Sequence, residues 1–109
     1  VQGKPLTIVG DGEQTRDSVH VRDVVRANVR AMRANKVGRG EVINIGSGKD
    51  YTVNAVATMI GGETVHIEPR IEPRHTRADV TLAKTLLDWE PTVPLEEGIA
   101  QLKALHHLT

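Results

Sequence analysis

Gly10-Asp11-Gly12-Glu13-Gln14-Thr15-Arg16-Asp17-Ser18-Val19-His20-Val21-Arg22-Asp23-Val24 is the stretch on which the reading of this chain turns. Gly10 and Gly12 flank Asp11, and glycine accepts positive φ without steric cost, so a tight loop is expected there. Val19 and Val21, with Ser18 and His20 between them, alternate as a short half-buried strand. Asp23 falls where a first-turn carboxylate meets the positive end of a helix dipole. Arg16 then sits at the end of a loop, pointing away from the packed side, either paired with Asp11 or Asp17 or free to grip an anion.

Working outward, Leu6-Thr7-Ile8-Val9 alternates weakly and predicts a short strand entering the glycine turn. A helix is expected from about Arg22 to Asn35, with Val21, Val25, Asn28 and Met32 on one face beside Val24, Ala27 and Ala31. Arg22, Arg26, Arg30 and Arg33 stripe the same helix and read as its solvated outer face. Gly38 and Gly40 end it, and Glu41 to Ile45 reads as a buried strand closed by Gly46 and Gly48. Thr52 suits the N-cap of a second helix, in which Val53, Val56, Ala57 and Ile60 recur at helical spacing before Gly61-Gly62. Thr64 to Ile67 predicts another short strand. Pro69 and Pro73 impose an extended, arginine-rich loop, since each proline restricts itself and the residue before it. A short helix is expected near Val80 to Leu87. Pro94 opens the last one, with Leu95, Ile99, Leu102 and Leu105 as its apolar stripe. The result is a small α/β domain of about four helices and three or four short strands.

The chain has 109 residues, with 14 basic against 14 acidic side chains and no cysteine. Balanced charge gives no global attraction to nucleic acid or to an anionic membrane, so neither is an expected partner. Without cysteine there are no disulfides and no thiol chemistry, which fits a cytoplasmic setting. Aromatic residues make up only 2%, so the core must rely on Val, Ile, Leu and Ala. Gly48-Lys49 does not form a phosphate loop, because Ile43 stands where the first loop glycine belongs and Asp50 replaces the magnesium-binding Ser/Thr. A dinucleotide-binding turn needs glycines spaced ahead of a helix N-terminus, and no such spacing occurs. The five histidines show no ligand spacing, so no metal site is expected. Asp11, Asp17 and Asp23 recur every six residues, matching neither helix nor strand, and read as turn, pairing and capping residues respectively.

The glycine turn with its Arg16-Asp17 pair is followed by Val42-Ile43-Asn44-Ile45-Gly46-Ser47-Gly48, by Arg70 and Glu72-Pro73-Arg74-His75, and by Ala78-Asp79 and Lys84. Leu87-Asp88-Trp89-Glu90-Pro91 and Leu95-Glu96-Glu97-Gly98-Ile99 complete the set. In that order and spacing these segments resemble the substrate-binding half of NAD-dependent sugar-nucleotide epimerases and dehydratases, the extended short-chain dehydrogenase/reductase family. The resemblance covers nearly the whole chain. It implies a C-terminal substrate domain or fragment over residues 1–109, without the Rossmann sheet. The parent would be an NAD-dependent isomerase acting on a nucleotide-sugar, with a dehydratase or reductase as the alternative parent. A free-standing, non-catalytic binding or assembly module is a further alternative.

The same resemblance places the NAD site and the catalytic Y-x-x-x-K in an N-terminal half outside these residues, since Tyr51 is followed four positions on by Ala55. It implies no catalytic residue here, no NAD bound by the chain alone, and no activity of the chain alone. Arg16 and Arg70 are implied as ligands of the nucleotide diphosphate, with His20 and Arg74 as secondary candidates. The chain departs from the family in Val9 and Ser18, where aromatic residues are usual, and in a loop at Arg70-Ile71-Glu72 that is one residue short. Apolar faces near Leu6–Val9 and Val42–Ile45 are expected to be exposed and to drive self-association.

Overall fold

The computed structural model describes residues 2–108. Among them the chain forms four short strands and four helices: β1 (Leu6–Val9), β2 (Thr15–Arg16), α1 (Val21–Arg33), β3 (Tyr51–Thr52), α2 (Val53–Ile60), β4 (Thr64–Ile67), α3 (Thr81–Leu87) and α4 (Leu95–Leu105). β1 and β4 pair in parallel, with Ile8 opposite His66, while β2 and β3 pair antiparallel, with Thr15 opposite Thr52. Thr15 also bridges His75, so the arginine-rich loop is stitched to β2 through the backbone.

Local chemistry explains most helix boundaries. His20 caps α1 by accepting a hydrogen bond from the Arg22 amide at 3.1 Å. Thr52 caps α2 by accepting from the Ala55 amide at 3.0 Å, as its position predicts. Pro94, whose φ is fixed, leads into α4 with Glu96 and Glu97 in the first turn, where the helix dipole favours negative charge.

The core is small and built around Trp89, which is fully buried with Ala27, Ala83 and Leu87. Val19, Ile43, Ile45 and Val80 pack around this cluster. The molecule measures 48 × 34 × 17 Å, and its Cα radius of gyration is 16.5 Å. A compact chain of this length would have a radius near 13 Å. In so thin a slab one side of most elements has nothing to pack against.

The structure differs from the sequence reading at several elements. Val19 and His20 form no strand; they lead into α1, and the short strand lies earlier, at Thr15–Arg16. Glu41 to Ile45 is not a strand either, because no neighbouring segment offers it a ladder; Ile43 and Ile45 pack on the core while Val42 is 85% exposed. α1 is rotated from expectation: of its expected apolar side, Ala27 and Ala31 do pack on the core. Val21, Val25 and Met32 face solvent, whereas Asp23 and Ala27 are buried. Arg26 and Arg30 are not on the solvated face; their guanidinium groups reach the Glu90 carbonyl and the Leu87 and Asp88 carbonyls. On α4 only Ile99 of the stripe is buried, and Leu102 and Leu105 are exposed. β1 is better covered than expected, with Ile8 at 3% exposure.

Asp23 shows why α1 turned. Its carboxylate does not cap its own helix but accepts from the Thr92 amide (2.9 Å), the Thr92 hydroxyl (2.8 Å), the Val93 amide (3.0 Å) and Arg26 (2.7 Å). The Trp89 indole N–H donates to the Asp23 carbonyl at 2.9 Å, and Arg26 lies 5.7 Å from the Trp89 ring. Burial pushes the Asp23 carboxyl up, but these donors outweigh it and hold the pKa down at about 2. Once the carboxylate is sequestered, the arginines beside it on the helix must follow it inward.

Candidate functional site

The glycine turn takes the form its residues require: Gly10 and Gly12 have φ of 67° and 76°. Asp11 Oδ1 accepts from the Glu13 amide at 2.9 Å, and Asn54 on α2 donates to the Asp11 carbonyl (2.9 Å) and to Glu13 (2.7 Å). The turn is therefore anchored to a helix rather than hanging free. After it the chain extends, so successive side chains alternate between faces. Gln14 and Arg16 both contact Glu72, while Thr15 meets Asp50 and His75.

The proline-restrained loop folds back over this turn and encloses a cleft of about 260 Å³. Val9, Pro69 and Pro73 supply apolar wall; Asp11, Gln14, Arg70, Glu72 and Arg74 supply its polar groups. Arg74 holds Asp11 through a bidentate pair, both distances 2.9 Å. The Arg74 hydrogen bond keeps the Asp11 pKa down at about 2, and Asp11 in turn raises that of Arg74. Arg16 donates to the Thr15 carbonyl (2.7 Å) and the Arg74 carbonyl (3.4 Å), and lies 3.5 Å from Glu72. Arg70 lines the cleft, is exposed, and forms no ion pair or side-chain hydrogen bond among the described residues.

The structure thus brings Arg16, Arg70 and Arg74 to one loop cluster but does not bring His20 there. Its ring nitrogens meet the Arg22 amide and Gln101 on α4, and it does not line the cleft. Arg77 is exposed and also lies outside the lining. A second concavity of about 270 Å³ lies between Lys49, Tyr51 and the start of α4. The Glu96 carboxylate, bonded to the Tyr51 hydroxyl at 3.0 Å, makes it a poorer place for an anion.

Next to Arg16 is Asp17, which the sequence predicts to be an ion-pair partner. Asp17 pairs with no cation among the described residues. It accepts instead from the Ser47 amide and hydroxyl (2.7 Å each), the Gly48 amide (2.9 Å) and the Ala78 amide (3.1 Å). Burial pushes its carboxyl up, but these four donors win and lower it. Asp17 joins three distant segments directly behind the cleft. Gly46 is required there, since a Cβ would sit 2.5 Å from Ala78 Cβ and 3.0 Å from Asp17 Oδ2.

Comparison with known proteins agrees with this architecture. Residues 1–46 match the model of the NAD dependent epimerase/dehydratase family. The chain is 40% identical to UDP-glucose 4-epimerase of Mycolicibacterium smegmatis over 106 residues, covering 91% of this chain and 33% of that protein. It is 36% identical to UDP-glucuronic acid decarboxylase 1 of Xenopus tropicalis over 98% of this chain and 26% of that protein. Its fold matches UDP-glucose 4-epimerase of Thermotoga maritima, solved with UDP-glucose, at a TM-score of 0.77 and 45% identity, over 90% of this chain and 33% of that one. The chain belongs to the NAD-dependent epimerase/dehydratase family.

Within the family the chain spans about a quarter to a third of the length of the relatives it matches. UDP-glucuronic acid 4-epimerase of Bacillus cereus, solved with UDP-glucuronic acid and NAD, matches at a TM-score of 0.83 and 38% identity, over 91% of this chain and 34% of that one. The small mixed α/β fold, with four helices and short sheets, is thus the one these enzymes share. Among the described residues no helix is long and apolar enough to cross a membrane, and no cluster of three His, Cys, Asp or Glu is placed to hold a metal ion.

Proposed function

We propose that this chain is the nucleotide-sugar-binding part of an NAD-dependent nucleotide-sugar epimerase resembling UDP-glucose 4-epimerase. The supporting observation is the cleft where the glycine turn meets the proline-restrained loop, with the unpaired Arg70 on its wall and Arg16 beside it. Arg70 is the guanidinium available to a diphosphate as the loop stands, and Arg16 joins once the anion replaces Glu72, whose contact at 3.5 Å is long. Chemistry and NAD would come from sequence outside these residues.

A decarboxylase parent is the second reading, because the UDP-glucuronic acid decarboxylase relative matches 98% of this chain. Interconversion of UDP-glucose and UDP-galactose by the full-length protein supports the epimerase. Release of carbon dioxide from UDP-glucuronate supports the decarboxylase. The solvent-facing Val21, Val25 and Met32 of α1, together with Val42, favour contact with a further apolar surface, either the rest of a longer protein or a second copy. Sedimentation across a concentration series distinguishes a self-associating chain from a monomer.

The site is tested by titrating the chain with UDP, followed by NMR. Losing one charge-assisted hydrogen bond costs about 1.5–3 kcal/mol, so Arg70→Ala should weaken binding about tenfold or more. Arg33→Ala, exposed on the far end of α1, should leave it unchanged. Equal effects of the two substitutions would remove the basis for this site.

A further inference from the structure

Asp11-Gly12 is the only place in the sequence where glycine follows aspartate or asparagine. That dipeptide carries both halves of a reaction. The Asp11 carboxyl carbon is an electrophile, and the Gly12 peptide nitrogen, with no Cβ beside it, is the least hindered nucleophile a backbone offers. Attack forms an N–Cγ bond and closes a five-membered imide, while the carboxyl hydroxyl and the amide hydrogen leave as water. Water then reopens the ring at either carbonyl. Opening at Cγ restores aspartate; opening at the α-carbonyl leaves isoaspartate, whose main chain runs through Cγ.

The fold leaves the nucleophile unheld, since the Gly12 N–H donates to no acceptor among the described residues. Restraint falls on the electrophile instead. Asp11 Oδ1 accepts from the Glu13 amide at 2.9 Å, closing an Asx turn, and Asn54 donates to the Asp11 carbonyl at 2.9 Å. The third restraint is the Arg74 fork, which takes both carboxylate oxygens at 2.9 Å. A carboxylate in such a fork stays ionised and has no hydroxyl to release. The other charged groups nearby do not share this role: Arg70 and Glu72 line the cleft without bonding Asp11, Glu13 bonds Asn54, and His66 meets the Gly10 carbonyl. The fork alone comes from a segment remote in sequence, and both its side chains are more than half exposed.

We propose that Asp11 is a modification site, converting spontaneously to isoaspartate through the Gly12 nitrogen, and that the Arg74 fork guards it. The product carries its carboxylate on Cα and one more main-chain carbon, so neither the fork nor the Asx turn survives in its present form. The chemistry needs no ligand and stands whatever occupies the cleft.

The chain is aged in mildly acidic buffer and isoaspartate is located by peptide mapping, in which the product peptide shifts in retention at unchanged mass. Circular dichroism follows folding in parallel. Freeing the carboxyl from about 2 toward its ordinary 3.8 raises its protonated fraction, so Arg74→Ala should accumulate isoaspartate at Asp11 about tenfold faster or more. Arg74→Lys keeps a charge but loses the fork, and should fall between. Arg77→Ala, exposed on the same loop, should match the unsubstituted chain. Equal rates in Arg74→Ala and the unsubstituted chain overturn the guard, as does equal acceleration in Arg77→Ala. Absence of isoaspartate at Asp11 from every variant overturns the site itself. Should Arg74→Ala unfold, Arg74→Lys decides by the same comparison.

Discussion

Two aspartate–arginine pairs, twelve residues apart along the chain at their aspartates, behave in opposite ways. Asp23 with Arg26 is 1% exposed at the carboxylate, and its remaining lone pairs are filled by backbone and hydroxyl donors of the segment after Trp89. Asp11 with Arg74 has better pairing geometry, a bidentate fork at 2.9 Å, yet both side chains are more than half exposed. Geometry alone does not set what a pair is worth. The Asp23 carboxylate is fenced from water, so removing its donors strands its charge inside the protein. The Asp11 pair is open, so water can take either partner, and a ligand anion can take Arg74, at small cost. One region is a structural knot and the other is a set of exchangeable ions, which is the property a binding site needs.

The largest expected effect comes from breaking the knot. Asp23→Ala should destabilise the chain by about 3–5 kcal/mol, because it takes the acceptor from the Thr92 amide and hydroxyl and the Val93 amide and removes the ion pair with Arg26. For so thin a core that amounts to unfolding, and urea denaturation followed by circular dichroism reads it directly. A loss below about 1 kcal/mol would mean that the two pairs are equivalent after all.

Acid tests the same contrast without a mutation. The Asp23 pKa is depressed in the folded chain, from an ordinary value of 3.8 to about 2. A depressed carboxylate contributes stability that is complete above its unfolded pKa and lost as pH falls through the folded one. The chain should therefore lose about 2 kcal/mol between roughly pH 4 and pH 2 on account of Asp23. In Asp23→Asn, if folded, that part of the slope should disappear. An unchanged slope would assign the acid sensitivity elsewhere.

The smallest effect is expected at the exposed pair. Arg74→Ala should leave the midpoint of denaturant titrations nearly unchanged, despite the bidentate geometry. Arg26→Ala sharpens the comparison, since it removes the bond to Asp23 and the contact with the Trp89 ring, and should cost about 1–2 kcal/mol. If Arg74→Ala proved the more damaging of the two, the cleft rim would be structural and the functional reading of it would weaken.

What could be read from the chain alone was whatever depends on neighbours within a few residues. Leu6–Val9, the Thr52 cap, the α4 boundary after Pro94 and the positive-φ glycines at 10 and 12 all lie where short-range chemistry puts them. The family was legible too, because its motifs are local strings in a fixed order. The cleft was legible in part: Arg16 and Arg70 stood out as loop arginines, whereas Gln14 and Glu72 did not, since nothing in the sequence says that residues 58 positions apart meet. The signal for it is the alternation of Gln14, Thr15 and Arg16, which is less apolar than the alternation at Val19 and Val21.

The tertiary structure decided which way α1 faces, whether Glu41 to Ile45 pairs, and which arginines are free. Hydrophobic periodicity implies that the most apolar face of α1 turns inward, but Asp23 finds three donors in the segment after Trp89, beside Arg26 on its own helix, and takes its face of the helix with it. A buried carboxylate needs all its partners at once, and Thr92 and Val93 lie some 70 residues downstream. Arg16 and Arg74 were claimed by Glu72 and Asp11 across a loop closure, leaving Arg70 open. Such pairings depend on distances between segments remote in sequence, which local propensity does not encode.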